Sequence, residues 1–165
     1  MDPLEPARIR SLENLIPEIE QERQRGKTIV FANGCFDLLH VGHIRYLRGA
    51  RACGDLLIVA VNSDESARRI KGPGRPFMPL SERMEILAEL RCVHYILPFD
   101  DSDVSRLLLS LRPHIHAKGT DYTEESVPER QTVWSYGGRI AITGDPKEHS
   151  STEMLKKAKK RLESG

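Results

Sequence analysis

The chain has 165 residues, enough for one domain with a substantial apolar core and no need of metal or disulfide staples. Lys and Arg number 25 against 24 Asp and Glu, a formal charge of +1, which argues against nucleic-acid binding driven by bulk electrostatics. The cysteines, Cys35, Cys53 and Cys92, are scattered without a CxxC pair, the first twenty residues hold no apolar leader, and no run reaches membrane-spanning length; the expectation is a soluble, cytoplasmic protein with reduced thiols and no membrane partner.

In chain order, Leu12, Leu15, Ile16 and Ile19 follow helical spacing after a possible cap at Ser11. Pro17 interrupts that pattern and predicts a kink or restart, with the helix ending near Gly26. Residues 1–26 therefore read as a leader helix ahead of a domain over 27–165. From Thr28, short apolar runs alternate with amphipathic stretches. The strands are "TIVFA" (28–32), "LLIVAV" (56–61), "VHYIL" (93–97), "HIHA" (114–117) and "RIAIT" (139–143). The helices are 41–53, 80–90, 104–111, 129–136 and a last one from about Thr152. That last helix carries "KKAKKR", Lys156 to Arg161, which reads as a solvated face placing cations near a helix C-terminus. Strands without polar alternation are buried on both faces, so the fold class is a small doubly wound, Rossmann-like α/β domain with a parallel sheet.

Ligands of such sheets bind beyond the carboxyl ends of the strands. The segments to watch are "NGCFDLLHVGH", "NSD", "FDDSD", "KGTDY" and "GDPKEHSST", with "KGPGRPFMP" as a long polar loop suited to a lid. In the first segment, Asn33-Gly34 permits a tight turn and close approach of a ligand, and Gly42 keeps bulk away from between His40 and His43. The two imidazoles fall on one side of a helix start whose free amides attract phosphate. The combination suits charge stabilisation on a transferring phosphoryl group. Asp37-x-x-His40-x-x-His43 is also a metal-ligand spacing, although the glycines have no task in that reading. His114 and His116 alternate on one strand face, as a core or edge pair or as metal ligands. No Walker lysine motif and no G-x-G-x-x-G is present.

"NGCFDLLHVGH" resembles the signature of the HxGH-motif nucleotidyltransferases. With "VNSDESARRIKGPGRP", "ERMEIL", "KGTDYTEE" and "SYGGRI", the chain from about Lys27 to Leu155 is similar to the adenylyltransferase domain of ADP-heptose synthesis. The resemblance implies transfer of AMP from ATP to D-glycero-D-manno-heptose 1-phosphate, for lipopolysaccharide cores. It implies Mg2+ held mainly by the ATP phosphates, no protein metal site, a separate sugar kinase upstream, and by analogy a homodimer. His40, His43 and Lys71 would be catalytic. Asn33, Gly34, Cys35, Phe36, Asp37, Gly42, Arg75, Lys118, Gly119, Asp121, Ser150, Ser151 and Thr152 would bind nucleotide, with Lys71 and Arg75 meeting the phosphates from a loop that orders on binding. For the hydroxyl run, helix capping is the competing role. Thr120 stands where the family commonly has a second glycine, and His116 where it usually has an aliphatic residue. Lys147 and His149 precede the hydroxyls where a glycine-containing approach is expected. Two alternatives remain: a cytidylyltransferase for glycerol 3-phosphate or a similar alcohol phosphate, although its "RTEG" is absent, and a non-catalytic nucleotide-binding module.

Overall fold

The computed structural model describes residues 7–146, 155 and 158–162. Its strands are β1 (Arg8–Ile9), β2 (Ile29–Gly34), β3 (Leu56–Asn62), β4 (Tyr95–Phe99), β5 (Ile115–Gly119) and β6 (Arg139–Thr143). They form one parallel sheet in the order β1-β4-β3-β2-β5-β6. Between them run α1 (Leu12–Gln24), α2 (Val41–Ala52), α3 (Asp64–Lys71), α4 (Leu80–Ala88), α5 (Ser105–Leu111) and α6 (Arg130–Ser135). The doubly wound α/β fold expected from the apolar runs is the one observed.

Successive strand residues point to opposite faces, and each face has its own core. Phe31 and Ile58 pack with Leu15 and Ile19 of α1 and Leu107 and Leu108 of α5. Val30, Ala32 and Val59 pack on the other face with Leu47 and Ala50 of α2 and Leu87 of α4. β3 is buried along its whole length, which is why it shows no polar alternation. The chain leaves β2 toward β3 and β4 on one side, then returns to build β5 and β6 on the other. The reversal of winding lies between β2 and β5.

One local expectation is corrected, and two elements appear that the sequence did not announce. Helix α1 runs through Pro17 as one helix over Leu12–Gln24, so there is no restart there. The ring forgoes one backbone bond, and the burial of Leu15 and Ile19 on either side of it outweighs that loss. Strand β1, which pairs Arg8 and Ile9 with Tyr95 and Ile96, is too short to show a period in sequence. Helix α3 follows β3 directly and shows no apolar period in sequence. It is capped by the Ser63 hydroxyl, which accepts the Ser66 N–H at 3.0 Å, and it carries Asp64 and Glu65 first and Arg68, Arg69 and Lys71 last. That order of charges follows the helix dipole.

His114 and His116 do not act as a pair. His114 Nδ1 accepts the Ile29 N–H at 2.9 Å at the start of β2, as His94 Nδ1 accepts the Leu57 N–H at 3.1 Å in β3. His116 instead turns toward Asn33. Residues 158–162 are helical and exposed, consistent with a solvated basic face. Among the described residues, no helix is long and apolar enough to cross a membrane.

Candidate active site

A cavity of about 580 Å³ opens at the carboxyl ends of β2, β3, β5 and β6, spanning the point where the winding reverses. The end of β2 and the turn into α2 bring Asn33, Gly34, Cys35, Phe36, Asp37, His40, Gly42 and His43 to its wall. Lys71 and Arg75 reach it from one side, and Lys118, Gly119 and Asp121 from the other. The expected residues within the described range thus converge on one space. Ser150, Ser151 and Thr152 lie outside the described residues, as do Lys147 and His149.

The HxGH turn works by reciprocal capping. His40 is the N-cap of α2; its Nδ1 accepts the Gly42 N–H at 3.2 Å, and His43 Nδ1 accepts the His40 N–H at 3.3 Å. The His43 N–H bonds the His40 carbonyl at 2.9 Å. The helix-start amides of Gly42 and His43 are therefore engaged within the turn, which corrects the expectation that they stand free for phosphate. The anion donors are on the rings instead. With both Nδ1 atoms accepting, each neutral imidazole carries its proton on Nε2. The ring centroids are 3.9 Å apart, and Phe36 backs His43 edge-on at 5.4 Å. Phe36 sits at φ 48°, an uncommon left-handed conformation for a side-chain-bearing residue, held by its burial under this turn. Burial, then the neighbouring His40 and Lys71, pushes the His43 pKa down to about 4, so it is neutral near pH 7.

Lys71 is the last residue of α3 rather than part of the following loop; it is exposed at the cavity rim. The loop after it is tied down. Asp37, only 3% exposed, accepts from Arg75 Nε at 2.6 Å and from the N–H groups of Phe77 and Met78 at 2.7 and 3.1 Å. Arg83, a fully buried arginine on α4, donates to the Met78 carbonyl at 3.0 Å, the Cys35 carbonyl at 2.6 Å and Asp64 Oδ1 at 2.7 Å. Arg75 has its carboxylate partner without any phosphate. The loop and the segment bearing the histidines are joined through two buried groups of opposite charge. Burial raises the Cys35 pKa, so this wall thiol stays protonated near neutrality.

On the opposite wall, Lys118 Nζ lies 3.1 Å from Asn33 Oδ1 and 3.2 Å from Glu129 Oε2, with the Tyr122 ring 5.2 Å away. Thr120 donates its hydroxyl to the Asp145 carbonyl at 2.6 Å, and Arg45 pairs with Asp145 Oδ2 at 2.6 Å. The first contact joins the segments that follow β5 and β6, and the second ties the latter to α2. Sequence reasoning pointed to the segment that Asn62 opens without giving that residue a role, and it missed Tyr46, Arg83 and Glu129. Asn62 donates to Ser66 at 2.8 Å beneath the cavity, and Tyr46 donates to the Ala117 carbonyl at 2.9 Å. Arg83 carried a legible signal: it stands four residues before Leu87 on the buried face of α4. Glu129 carried none, because its partner is eleven residues away across a turn.

A doubly wound sheet whose reversal point carries an HxGH turn and a basic rim defines an HxGH-type nucleotidyltransferase. The chain belongs to the cytidylyltransferase-like family, whose sequence model matches residues 31–158. The resemblance drawn from the motifs is borne out at that level. Among its relatives is the "Bifunctional protein HldE" of Syntrophotalea carbinolica, 48% identical over 159 residues, 96% of this chain and 32% of that one. The protein of the same name from Pectobacterium carotovorum subsp. carotovorum is 44% identical over 143 residues, 87% of this chain and 30% of that one. The chain spans about a third of the length of these relatives. A crystal structure of the lipopolysaccharide core biosynthesis protein from Thermoplasma volcanium GSS1 aligns over 74% of this chain and 100% of that chain, with a TM-score of 0.64 and 27% identity.

Proposed function

We propose that this chain transfers AMP from ATP to D-glycero-D-manno-heptose 1-phosphate, giving ADP-heptose and pyrophosphate. The observation that carries nucleotidyl transfer is the pair of imidazoles side by side on the cavity wall, each with its Nδ1 taken by a backbone N–H, which leaves Nε2 as the donor. The choice of ATP and of a heptose rests on the HldE relatives and on this chain's motifs that resemble the adenylyltransferase domain of ADP-heptose synthesis.

A sugar-phosphate oxygen attacks the α-phosphorus; the bond from that phosphorus to the bridging oxygen breaks, and its electrons leave on pyrophosphate. The attacking group is already an anion, so no general base is needed. A neutral His43 that donates and does not abstract fits that requirement. His40 and His43 hold phosphate oxygens in place, and Lys71 adds positive charge from the rim. Asp37 acts through the loop, placing Arg75 and the backbone of Phe77 and Met78. Lys118, Gly119 and Asp121 face the nucleoside. Magnesium supplies charge neutralisation on the triphosphate. Asp37 and Asp145 are already paired with arginines, and among the described residues no group of three ligating side chains is present, so the wall fits an ion carried by phosphate oxygens and water.

The test is pyrophosphate release with each of four nucleotides, crossed with heptose 1-phosphate, other sugar phosphates and glycerol 3-phosphate. ATP with heptose 1-phosphate is expected to give the highest kcat/KM, at least tenfold above CTP. CTP equalling ATP, or acceptance of glycerol 3-phosphate alone, refutes the heptose reading and leaves nucleotidyl transfer standing. No release with any pair, together with nucleotide binding, points to a binding module.

A further inference from the structure

Behind the nucleotide wall, three side chains converge on one oxygen. Asn33 Oδ1 lies 3.2 Å from His116 Nε2 and 3.1 Å from Lys118 Nζ. The ammonium of Lys118 only donates, so the carboxamide must turn its oxygen, not its nitrogen, toward Lys118. That oxygen in turn requires a proton on His116 Nε2, because the other tautomer would set two acceptors against each other. His116 is 0% exposed, and its Nδ1 has no hydrogen-bond partner. An imidazolium would leave a buried charged donor unpaired, and burial and Lys118 hold the pKa down to about 3. The ring is also pinned edge-on against Phe31 at 5.6 Å. The direction of the chain is therefore determined: Lys118, paired with Glu129, and neutral His116 both donate to Asn33 Oδ1. With Oδ1 committed twice, the Nδ2 amide is what Asn33 has left to offer the cavity it lines.

We propose that His116 is a positioning residue: its Nε2–H bond orients the Asn33 carboxamide so that Nδ2 donates to an oxygen of the bound nucleotide. The proposal rests on the nucleotidyltransferase reading of the cavity. Asn33 is the penultimate residue of β2, beside the point where the winding reverses, where a donor faces the ligand directly. A buried aliphatic residue in place of His116 would pack there but would leave the carboxamide held on one side only.

The test compares His116→Leu, His116→Gln and Asn33→Asp with the parent protein. In the 15N-labelled parent, the His116 ring nitrogens should report the Nε2–H tautomer. His116→Leu should raise KM for ATP about tenfold while kcat stays within threefold. His116→Gln, which keeps a donor of similar reach, should return KM to within threefold of the parent. Asn33→Asp keeps the acceptors for His116 and Lys118 but loses Nδ2, and should raise KM at least as far as His116→Leu. A purely structural histidine would lower the unfolding midpoint without separating KM from kcat. An Nδ1–H tautomer, a parent-like KM in His116→Leu or Asn33→Asp, or a glutamine variant no better than leucine would overturn the proposal. If His116→Leu does not fold, Asn33→Asp and the parent tautomer still decide it. A parent protein that binds no nucleotide defeats the functional reading and the ligand assigned to Asn33; the tautomer result separates that failure from a wrong orientation of the carboxamide.

Discussion

Removing the carboxylate of Asp37 should release the loop that follows α3 and weaken the whole fold. In Asp37→Ala, Arg75, with a side chain only 13% exposed, loses its counter-ion, and the N–H groups of Phe77 and Met78 lose their acceptor. Breaking one side of a buried ion pair costs about 3–5 kcal/mol, and the two amide bonds, both to Oδ1 while Arg75 takes Oδ2, overlap with that figure because all three depend on the one carboxylate. Arg83 bonds both the Met78 and Cys35 carbonyls, so loosening the loop also disturbs the segment leading to His40. The expected loss is therefore about 3–4 kcal/mol by urea denaturation at pH 7, with an unchanged m-value. Asp37→Asn keeps one oxygen for the two amides and should recover about 1–2 kcal/mol of the loss. Trypsin cleavage after Lys71, which is followed by Gly72, should quicken in the order parent, asparagine, alanine. An alanine variant within about 1 kcal/mol of the parent, and no easier to nick, would refute a latch at this position.

Replacing His43 by alanine should cut kcat about a hundredfold while weakening ATP binding less than tenfold; a variant within threefold of the parent rate refutes its role as a transition-state donor. Stability should fall between pH 7 and pH 5. His43 and His94 are pushed down to about 4 and His116 to about 3, so the unfolded chain takes up protons first as pH drops below 6.5. Their contribution is complete above pH 6.5 and is lost progressively toward pH 4 and 3. His116 alone accounts for about 2 kcal/mol between pH 7 and 5, and equal urea midpoints at those two values would contradict it. A Cβ on Gly54 would lie 2.7 Å from Val30 Cγ2 and 2.8 Å from the Thr28 carbonyl, whereas one on Gly119 would meet nothing within 4 Å. Gly54→Ala should therefore cost about 1–3 kcal/mol and Gly119→Ala far less; equal unfolding midpoints for the two variants would refute the packing argument.

The sheet was legible because each strand apart from β1 announces itself as an apolar run bounded by polar or glycine residues. Convergence of the motifs followed from one rule, that ligands of parallel sheets sit at the carboxyl ends of strands. What stayed hidden depends on distance along the chain. Asp37 meets Arg75, Arg83 meets the Cys35 carbonyl, and Asn33 meets His116 and Lys118 only after folding. The free-amide cradle was misjudged because the same histidines that suggested an anion site also cap their own helix. Helix α3 was missed because its buried face is formed by the small residues Ser66 and Ala67, which give no apolar rhythm.

Both sides of the cavity grow from one continuous sheet, with β2 bonded directly to β3 on one side and to β5 on the other. A cleft between two lobes can close by swinging one lobe, but neighbouring strands stay at a fixed spacing of about 4.8 Å. The distance between the two halves of the cavity is therefore invariant through a turnover. Among the described residues, substrates are gripped by side-chain and loop adjustments, and the interval between chemistry and product departure should depend little on solvent viscosity, which retards large-scale hinge motion.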